Sequence, residues 1–549
     1  MCKYKYSDYS EINVEVKGII WYNKSSKNVE TLGDEKKVLG KNKAQFDLFD
    51  EVIFNKLIPK NHLLVEIDSV TDFSFVYEHL KDHYSAVGRE SKDPVMMFKI
   101  LILEYLYNLS DVRVVERIKT AIAFRWFLGL KIDDTVPDDT TISFFRIKHV
   151  NEKKFEEFFN EVVKQCISKG IIKSRRYIID STDVAANINY PSEKKLARKA
   201  FENVIKELEK FNSELAEKQL EKYEHDIQNE YDLNEHVKFK KHFEITREHL
   251  GYLYIKTYDL LQENNKYQEA FDICYTLVNQ YLNNEKDKIV SVVDPEARVA
   301  HKSPGNIKRG YKDHILVDED SEIILSSVQT PFNVGDEKKL IELVEKVENN
   351  FEIKPNEITA DKVYGTTDNR AYLKDNKIIT NIAFYKESSK EVKRFGLKDF
   401  EISNDVSSAK CPNGIISTSY EIKTIDEKEF RRFKFDRKDC DSCKFRDNCL
   451  NKNKNEKITR RSRDLDVPLR YDAILNDLQR VITEEFEVAY NKRYKVERRF
   501  ATMVRNHGLR RCRFLKLKGS KIHIIIANLV CNIVRMVNIL LHPPGIAMP

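Results

Sequence analysis

The chain has 549 residues, with 94 Lys and Arg against 88 Asp and Glu, a net charge of +6 and 41% hydrophobic residues. That length excludes a single small module, and that balance excludes both global disorder and a membrane-embedded chain. The opening MCKYKYSDYSEINVEVKGII lacks the charged, apolar, small-residue order of a secretory leader, so the nine cysteines are expected in a reducing, cytoplasmic compartment as free or metal-bound thiols.

Residues 1–44 read as a polar leader. From 45 to 150 the pattern is helical: PVMMFKILILEYLYNL carries apolar residues at i, i+3, i+4 and i+7, and SDVRVVERIK and AIAFRWFLGL follow as shorter pieces. Ser110 and Asp111 suit a helix start. VPDDTTISFFRIK begins another helix with Asp or Thr at its N-cap. Short helices joined by tight turns fit either a helix-turn-helix type DNA-binding domain or a purely structural bundle.

Strand character begins in RYIIDSTDVAA, placing the start of an α/β core at 151–191. A block at 192–290 alternates Glu and Lys around a thin apolar stripe and is expected to be an inserted helical hairpin or bundle. The core resumes at 291–385. HILVDED and EIILSSVQT read as a hairpin, GDEKKLIELVEKVEN as a helix, NEITADKVYG as a strand reaching Asp361, and NRAYLKDN and KIITNIAF as a final helix and strand. That order implies a mixed sheet with helices on its faces. A Lys-rich segment at 386–464 holds Cys411, Cys440, Cys443 and Cys449, and a helical tract from 465 to 549 closes the chain. Its most apolar stretch, 522–541, carries Asn528, Asn532, Arg535 and Asn538 at helical spacing. That is a buried amphipathic helix rather than a bilayer span.

Asp180 and Asp361 each follow an apolar strand run. A carboxylate at a buried strand end is costly without a partner, and a divalent metal is the strongest partner available. The plainer reading is a strand-end Asp capping a turn. Asp183 competes with Asp180, but its offset of three points it to the opposite face of a strand. Glu497 is the sole acid between 491 and 521, among twelve bases, and its plainer role is an ion pair with Arg493 one turn earlier.

The order Asp180, Asp361, Glu497, the strands around the two aspartates, and Tyr490-x-x-Arg493-x-x-x-Glu497 resemble the DDE transposases of bacterial insertion sequences, in particular the group with an InsH-like N-terminal helical domain. SVVDPEARVA, RGYKDHILVDED, VQTPFNVGDEKKL, ADKVYG and CPNG with its later cysteines support the likeness, which covers roughly 45–540. It implies a ribonuclease-H-like catalytic core, a mixed sheet flanked by helices, with Asp180 on the first strand, Asp361 after the fourth and Glu497 on a later helix. One departure is that the Lys these enzymes carry seven residues beyond the Glu is Val504 here, with Arg505 beside it.

By that resemblance Asp180, Asp361 and Glu497 are catalytic and hold two Mg²⁺ or Mn²⁺ ions for in-line phosphoryl transfer. The partners are the terminal inverted repeats of the element and target DNA, engaged by a homodimer on paired ends, with no membrane and a nucleoid-associated location. The basic run is expected to track the DNA backbone, with Tyr490, Arg493, Arg498, Arg499, Arg505, Arg510 and Arg511 as candidate contacts. A domesticated nuclease that only hydrolyses, and a non-catalytic DNA-binding protein retaining the fold, are the competing readings. Cys411, Cys440, Cys443 and Cys449, spaced C-x28-C-x2-C-x5-C, can bind structural Zn²⁺ tetrahedrally. Four buried or free thiols in a β-rich insertion is the alternative.

Overall fold

The computed structural model describes residues 46–83, 91–189, 191–229, 235–303, 306–385, 395–425, 428–450 and 462–543. The leader expected over 1–44 lies outside them. The first described stretch is helical: α1 (Leu48–Leu57), α2 (Leu63–Val70), α3 (Ser74–Leu80), α4 (Pro94–Leu106), α5 (Asp111–Thr120), α6 (Ile122–Leu128), α7 (Asp139–Phe144) and α8 (Glu152–Ser168). Local chemistry sets their ends. Asp93 caps α4 ahead of Pro94, Ser110 caps α5, and Asp138 accepts from the Thr141 amide to start α7. Gly129, at φ 70°, ends α6.

Next come β1 (Arg176–Ala185) and five inserted helices, α9 (Glu193–Glu209), α10 (Ser213–Gln228), α11 (Glu235–Lys256), α12 (Tyr258–Glu263) and α13 (Asn265–Leu282). The sheet continues with β2 (Arg298–Ser303), β3 (Asn306–Asp318) and β4 (Ile324–Pro331). After α14 (Leu340–Phe351) come β5 (Glu357–Ala360), α15 (Thr367–Asp375) and β6 (Ile379–Ile382). The strand order is β2-β3-β1-β5-β6, with β4 also on β3. β1 is antiparallel to β3 and parallel to β5, and β5 is parallel to β6, so the sheet is mixed.

Two expectations need correction here. Asp180 lies in the middle of β1, because the long β3 holds pairing as far as Ala185 opposite Gly310. Backbone approach there is so close that a Cβ on Gly310 would fall 2.3 Å from the Val184 carbonyl oxygen. Asp361 follows the fifth strand rather than the fourth, since 298–303 forms an additional strand on β3. The helices over 48–149 pack on the sheet: Phe98 and Leu101 share one apolar core with Phe158 of α8 and with Ile178, Leu316, Ile358 and Ile526.

Two further segments complete the chain. Small strands β7 (Glu401–Ile402), β8 (Ala409–Lys410) and β9 (Ile416–Ser417) form one sheet. A second sheet consists of β10 (Tyr420–Ile425), β11 (Lys428–Lys434) and β12 (Asp464–Pro468), and the short helices α16 (Arg437–Asp441) and α17 (Arg446–Cys449) fall between β11 and β12. β12 stands where a helix was expected from 465. Its Leu465 and Val467 alternate inward against Phe433, a period of two hidden at the edge of a helical tract. Helices α18 (Tyr471–Val481), α19 (Glu484–Asn491), α20 (Tyr494–Asn506) and α21 (Lys516–Leu541) follow.

α21 is the one helix among the described residues long and apolar enough to cross a membrane, and 67% of its most apolar window is buried inside the protein. It packs against α2, α4, α8 and β4. The first half of its polar stripe, Asn528 and Asn532, faces inward, while Asn538 is exposed. Asn528 donates to Asp313 and to Ser327 Oγ, both at 3.0 Å, while Asn532 donates to the Ile324 carbonyl at 2.8 Å and accepts from the Ile324 amide. The asparagines thereby satisfy buried polar groups of the sheet hairpin that apolar side chains would leave unpaired.

Candidate active site

Apolar residues Tyr177, Ile178 and Ile179 drive β1 into the core, and their register beside β5 puts Asp180 next to the end of β5, where Asp361 follows Ala360. The two carboxylates share one cation. Arg493 Nη1 lies 3.1 Å from Asp361 Oδ1, and Nη2 lies 3.4 Å from Asp180 Oδ2. Residues 181 positions apart thus converge through the parallel pairing of their strands. Burial pushes the Asp180 carboxyl above its usual range; the Ser181 amide and Arg493 oppose that push, and Asp361 adds to it. Burial also works against the Arg493 charge, but the two aspartates more than offset it and raise the guanidinium further.

A third acid borders this pair. Asp336, just before α14, accepts from Ser181 Oγ at 2.9 Å and from Lys312 Nζ at 2.6 Å. Tyr364 is buried beside it, its hydroxyl pushed well up by burial and then by Asp336 and Asp180. Sequence reading singled out Asp361 and passed over Asp336, which lies in GDEKK among ordinary solvated charges. Asp183 faces elsewhere, on Lys308 at 2.7 Å.

Glu497 sits on α20, one turn beyond Arg493 and so on the same helix face. It is exposed, and among the described residues it makes no ion pair, so the simple pairing with Arg493 is not what the structure shows. It does not close on the aspartates either: among the described residues no group of three or more His, Cys, Asp or Glu is placed to hold a metal ion. The structure therefore brings two of the three expected acids together and leaves the third nearby on the helix that supplies their arginine.

What docks α20 is the acidic turn between β3 and β4. Lys492 reaches Glu319 at 2.7 Å and Lys495 the Glu319 carbonyl at 2.7 Å. Buried Glu322 receives Arg498, Arg499 at 3.1 Å and Arg535 at 3.8 Å. Val496, Phe500 and Met503 anchor the other face in the core. Arg493, Arg498 and Arg499, expected as DNA contacts, thus spend their charge on carboxylates of this chain, and Arg499 is buried. Tyr490 stacks on Phe486 and lies under the Arg493 guanidinium. Arg505, Arg510 and Arg511 are exposed, with no ion pair among the described residues. The Arg510–Cys512 segment is stitched to the end of β1, where the Ala185 amide donates to the Arg510 carbonyl and the Cys512 amide to the Ala185 carbonyl. Val504 packs on the core while its neighbour Arg505 faces out, the result of the roughly 100° between adjacent helical residues.

Cys411, Cys440, Cys443 and Cys449 line one pocket in the segment between β8 and β12.

Comparison with known families gives two matches. A transposase domain (DUF772) matches residues 52–148, from within α1 to α7, and a transposase DDE domain matches 410–537, which includes Glu497 and most of α21. Asp180 and Asp361 lie outside both. No solved structure matches the chain. With one transposase domain matching its N-terminal helices and a second, of the DDE type, matching 410–537, the comparisons support an insertion-sequence DDE transposase.

Proposed function

We propose that this transposase cuts the ends of its element and joins them to target DNA, with Asp180, Asp361 and Glu497 as the acids of a ribonuclease-H-like site. The observation that carries this reading is the meeting of Asp180 and Asp361 on one guanidinium from the helix that also bears Glu497. The sheet supports it: an antiparallel β2-β3-β1 half joined to a parallel β1-β5-β6 half, with the acids on the central strand and at the end of its parallel neighbour.

The donor set fits a hard divalent cation. Two carboxylates converge, and burial leaves the Asp180 charge short of compensation by the protein's own donors. Asp180 and Asp361 would hold Mg²⁺ or Mn²⁺, with Glu497 the third ligand. When bound, such a cation supplies Lewis-acid stabilisation of the attacking and leaving oxygens of an in-line displacement. The chain's own groups do the rest. Arg493, with one Nη on each aspartate, holds the two carboxylates side by side. Lys312 and Ser181 fix Asp336 beside β1, which keeps the strand from shifting under the load of charge. Arg505, Arg510 and Arg511 contact the DNA backbone outside the site, and two such sites on a homodimer act on paired ends. Base readout falls to the N-terminal helices.

Incubating the protein with labelled terminal-repeat DNA and Mg²⁺ tests this reading. Joined products are expected; cut ends alone would mark a nuclease, and retention without cutting a binding protein.

A further inference from the structure

We propose that Cys411, Cys440, Cys443 and Cys449 form a structural zinc site that staples the segment between β7 and β12, apart from the acidic site. Every thiol in this protein that is neither deeply buried nor outside the described residues is in this one place: Cys166, Cys274, Cys512 and Cys531 are buried singly in apolar cores, and these four line a common pocket. All four are unbridged. The pocket walls are apolar, with Phe395, Phe435 and Phe445 around the sulfurs, a surrounding that strengthens ligation by excluding water.

The backbone around them is built as short turns. Cys411 opens a turn in which the Gly414 amide donates to the Cys411 carbonyl at 2.8 Å, with Gly414 at φ +87° in the region open to glycine. Cys440 and Cys443 are joined by a tight turn from the Cys443 amide to the Cys440 carbonyl, and the Phe445 amide donates to Cys443 Sγ at 3.4 Å.

The segment also needs a staple. Its core holds nine buried hydrophobic residues, spread over two three-stranded sheets with strands as short as two residues. A core that small seldom holds a fold without a disulfide or a metal. Among the described residues no three of these thiols stand at metal-holding spacing, so the proposed site requires the four sulfurs to close on the ion when it binds. Four thiols that bind Zn²⁺ as thiolates release their protons to solvent.

The test uses the full chain, purified under reducing conditions and analysed for metal. About one zinc per chain is expected. Thiol modification by a mercurial should release it in step with loss of the four cysteines, and Co²⁺ in its place should show the intense visible bands of tetrahedral thiolate ligation. A chelator should speed proteolysis within 395–475 while leaving the β1–β6 sheet intact. Cys440→Ser with Cys443→Ser should abolish zinc uptake; if that variant is insoluble, the metal content and Co²⁺ spectrum of the unaltered chain decide alone. Reduced protein that takes up no zinc after reconstitution, or Co²⁺ bound without thiolate bands, overturns the site, as would a stable disulfide among the four. Loss of DNA cutting has no bearing on this outcome, which keeps it separate from the function proposed for the acids.

Discussion

Two helical regions look alike in the sequence and end differently in the fold. In α4, eleven of thirteen residues are buried, including both flanks of the helix. Nothing but another element's core can cover a helix that is apolar almost all round, so α4 and its neighbours merge with α21 and the sheet. In α9, seven of seventeen residues are buried on one stripe. A stripe of that width closes on other striped helices, and α9 to α13 form a core of their own around Phe201, Tyr223, Phe243 and Leu277. The width of the apolar face, rather than helicity itself, decides whether a helical region is part of the platform under the active site or an attachment to it.

Phe201→Ala probes this difference most strongly. Phe201 is fully buried and stacks on Tyr223 at 4.2 Å, so its loss should cost roughly 3–5 kcal/mol, confined to 193–282. Hydrogen exchange should quicken in those helices and stay unchanged in β1, β3 and β5; faster exchange in the sheet would join the two cores into one. Asn528→Ala tests the platform. It strips a donor from the fully buried Asp313 carboxyl, which burial pushes up to about 6 against the bonds from Ser327, Asn528 and Gln329. A loss of about 1–3 kcal/mol is expected in denaturant titrations, and a larger one at pH 7.5 than at pH 5, because the stranded carboxyl is charged only above its folded value.

Glu104 gives the platform a pH signature of its own. It is buried in α4, and burial, then Asp111, push it up to about 8, against Arg146 and Arg513. A carboxyl raised on folding contributes stability that is full below its unfolded value near 4.5 and lost as pH rises through about 8. Glu104→Gln should flatten that decline between pH 5 and 9 in thermal unfolding; an unchanged slope would assign the decline to other groups. The smallest effect is that of Arg505→Ala. Removing one exposed phosphate contact should weaken end binding modestly and reduce the salt slope by about one, and an unaltered salt titration would take Arg505 off the DNA path.

Much of the platform was legible. Apolar runs entering Asp180 and Asp361 mark β1 and β5, and Ser110 and Asp138 mark their helix starts, because both signals are local. What escaped is what depends on a distant partner. The length of β1 is set by β3, more than a hundred residues away. Strand β12 is set by β11, and the inward turn of Asn528 and Asn532 by unpaired groups on β3 and β4. That Lys492, Arg498 and Arg499 at the start of the basic run pair with acids of the chain was hidden because Glu319 and Glu322 sit in a hairpin turn elsewhere in the chain. Asp336 was hidden for the same reason: only the fold brings it to Ser181.

The central claim, that Asp180, Asp361 and Glu497 act as one set, is met most directly by strand cleavage of labelled end DNA in Mg²⁺ by three single variants, Asp180→Ala, Asp361→Ala and Glu497→Ala, with end binding measured in parallel. Each should lose cleavage by about a thousandfold or more, roughly 4 kcal/mol of transition-state stabilisation, while binding the ends nearly as well as the unaltered chain. Cleavage by the Glu497 variant at the normal rate would leave the two aspartates to act with a different third group, and normal cleavage by either aspartate variant would contradict the account.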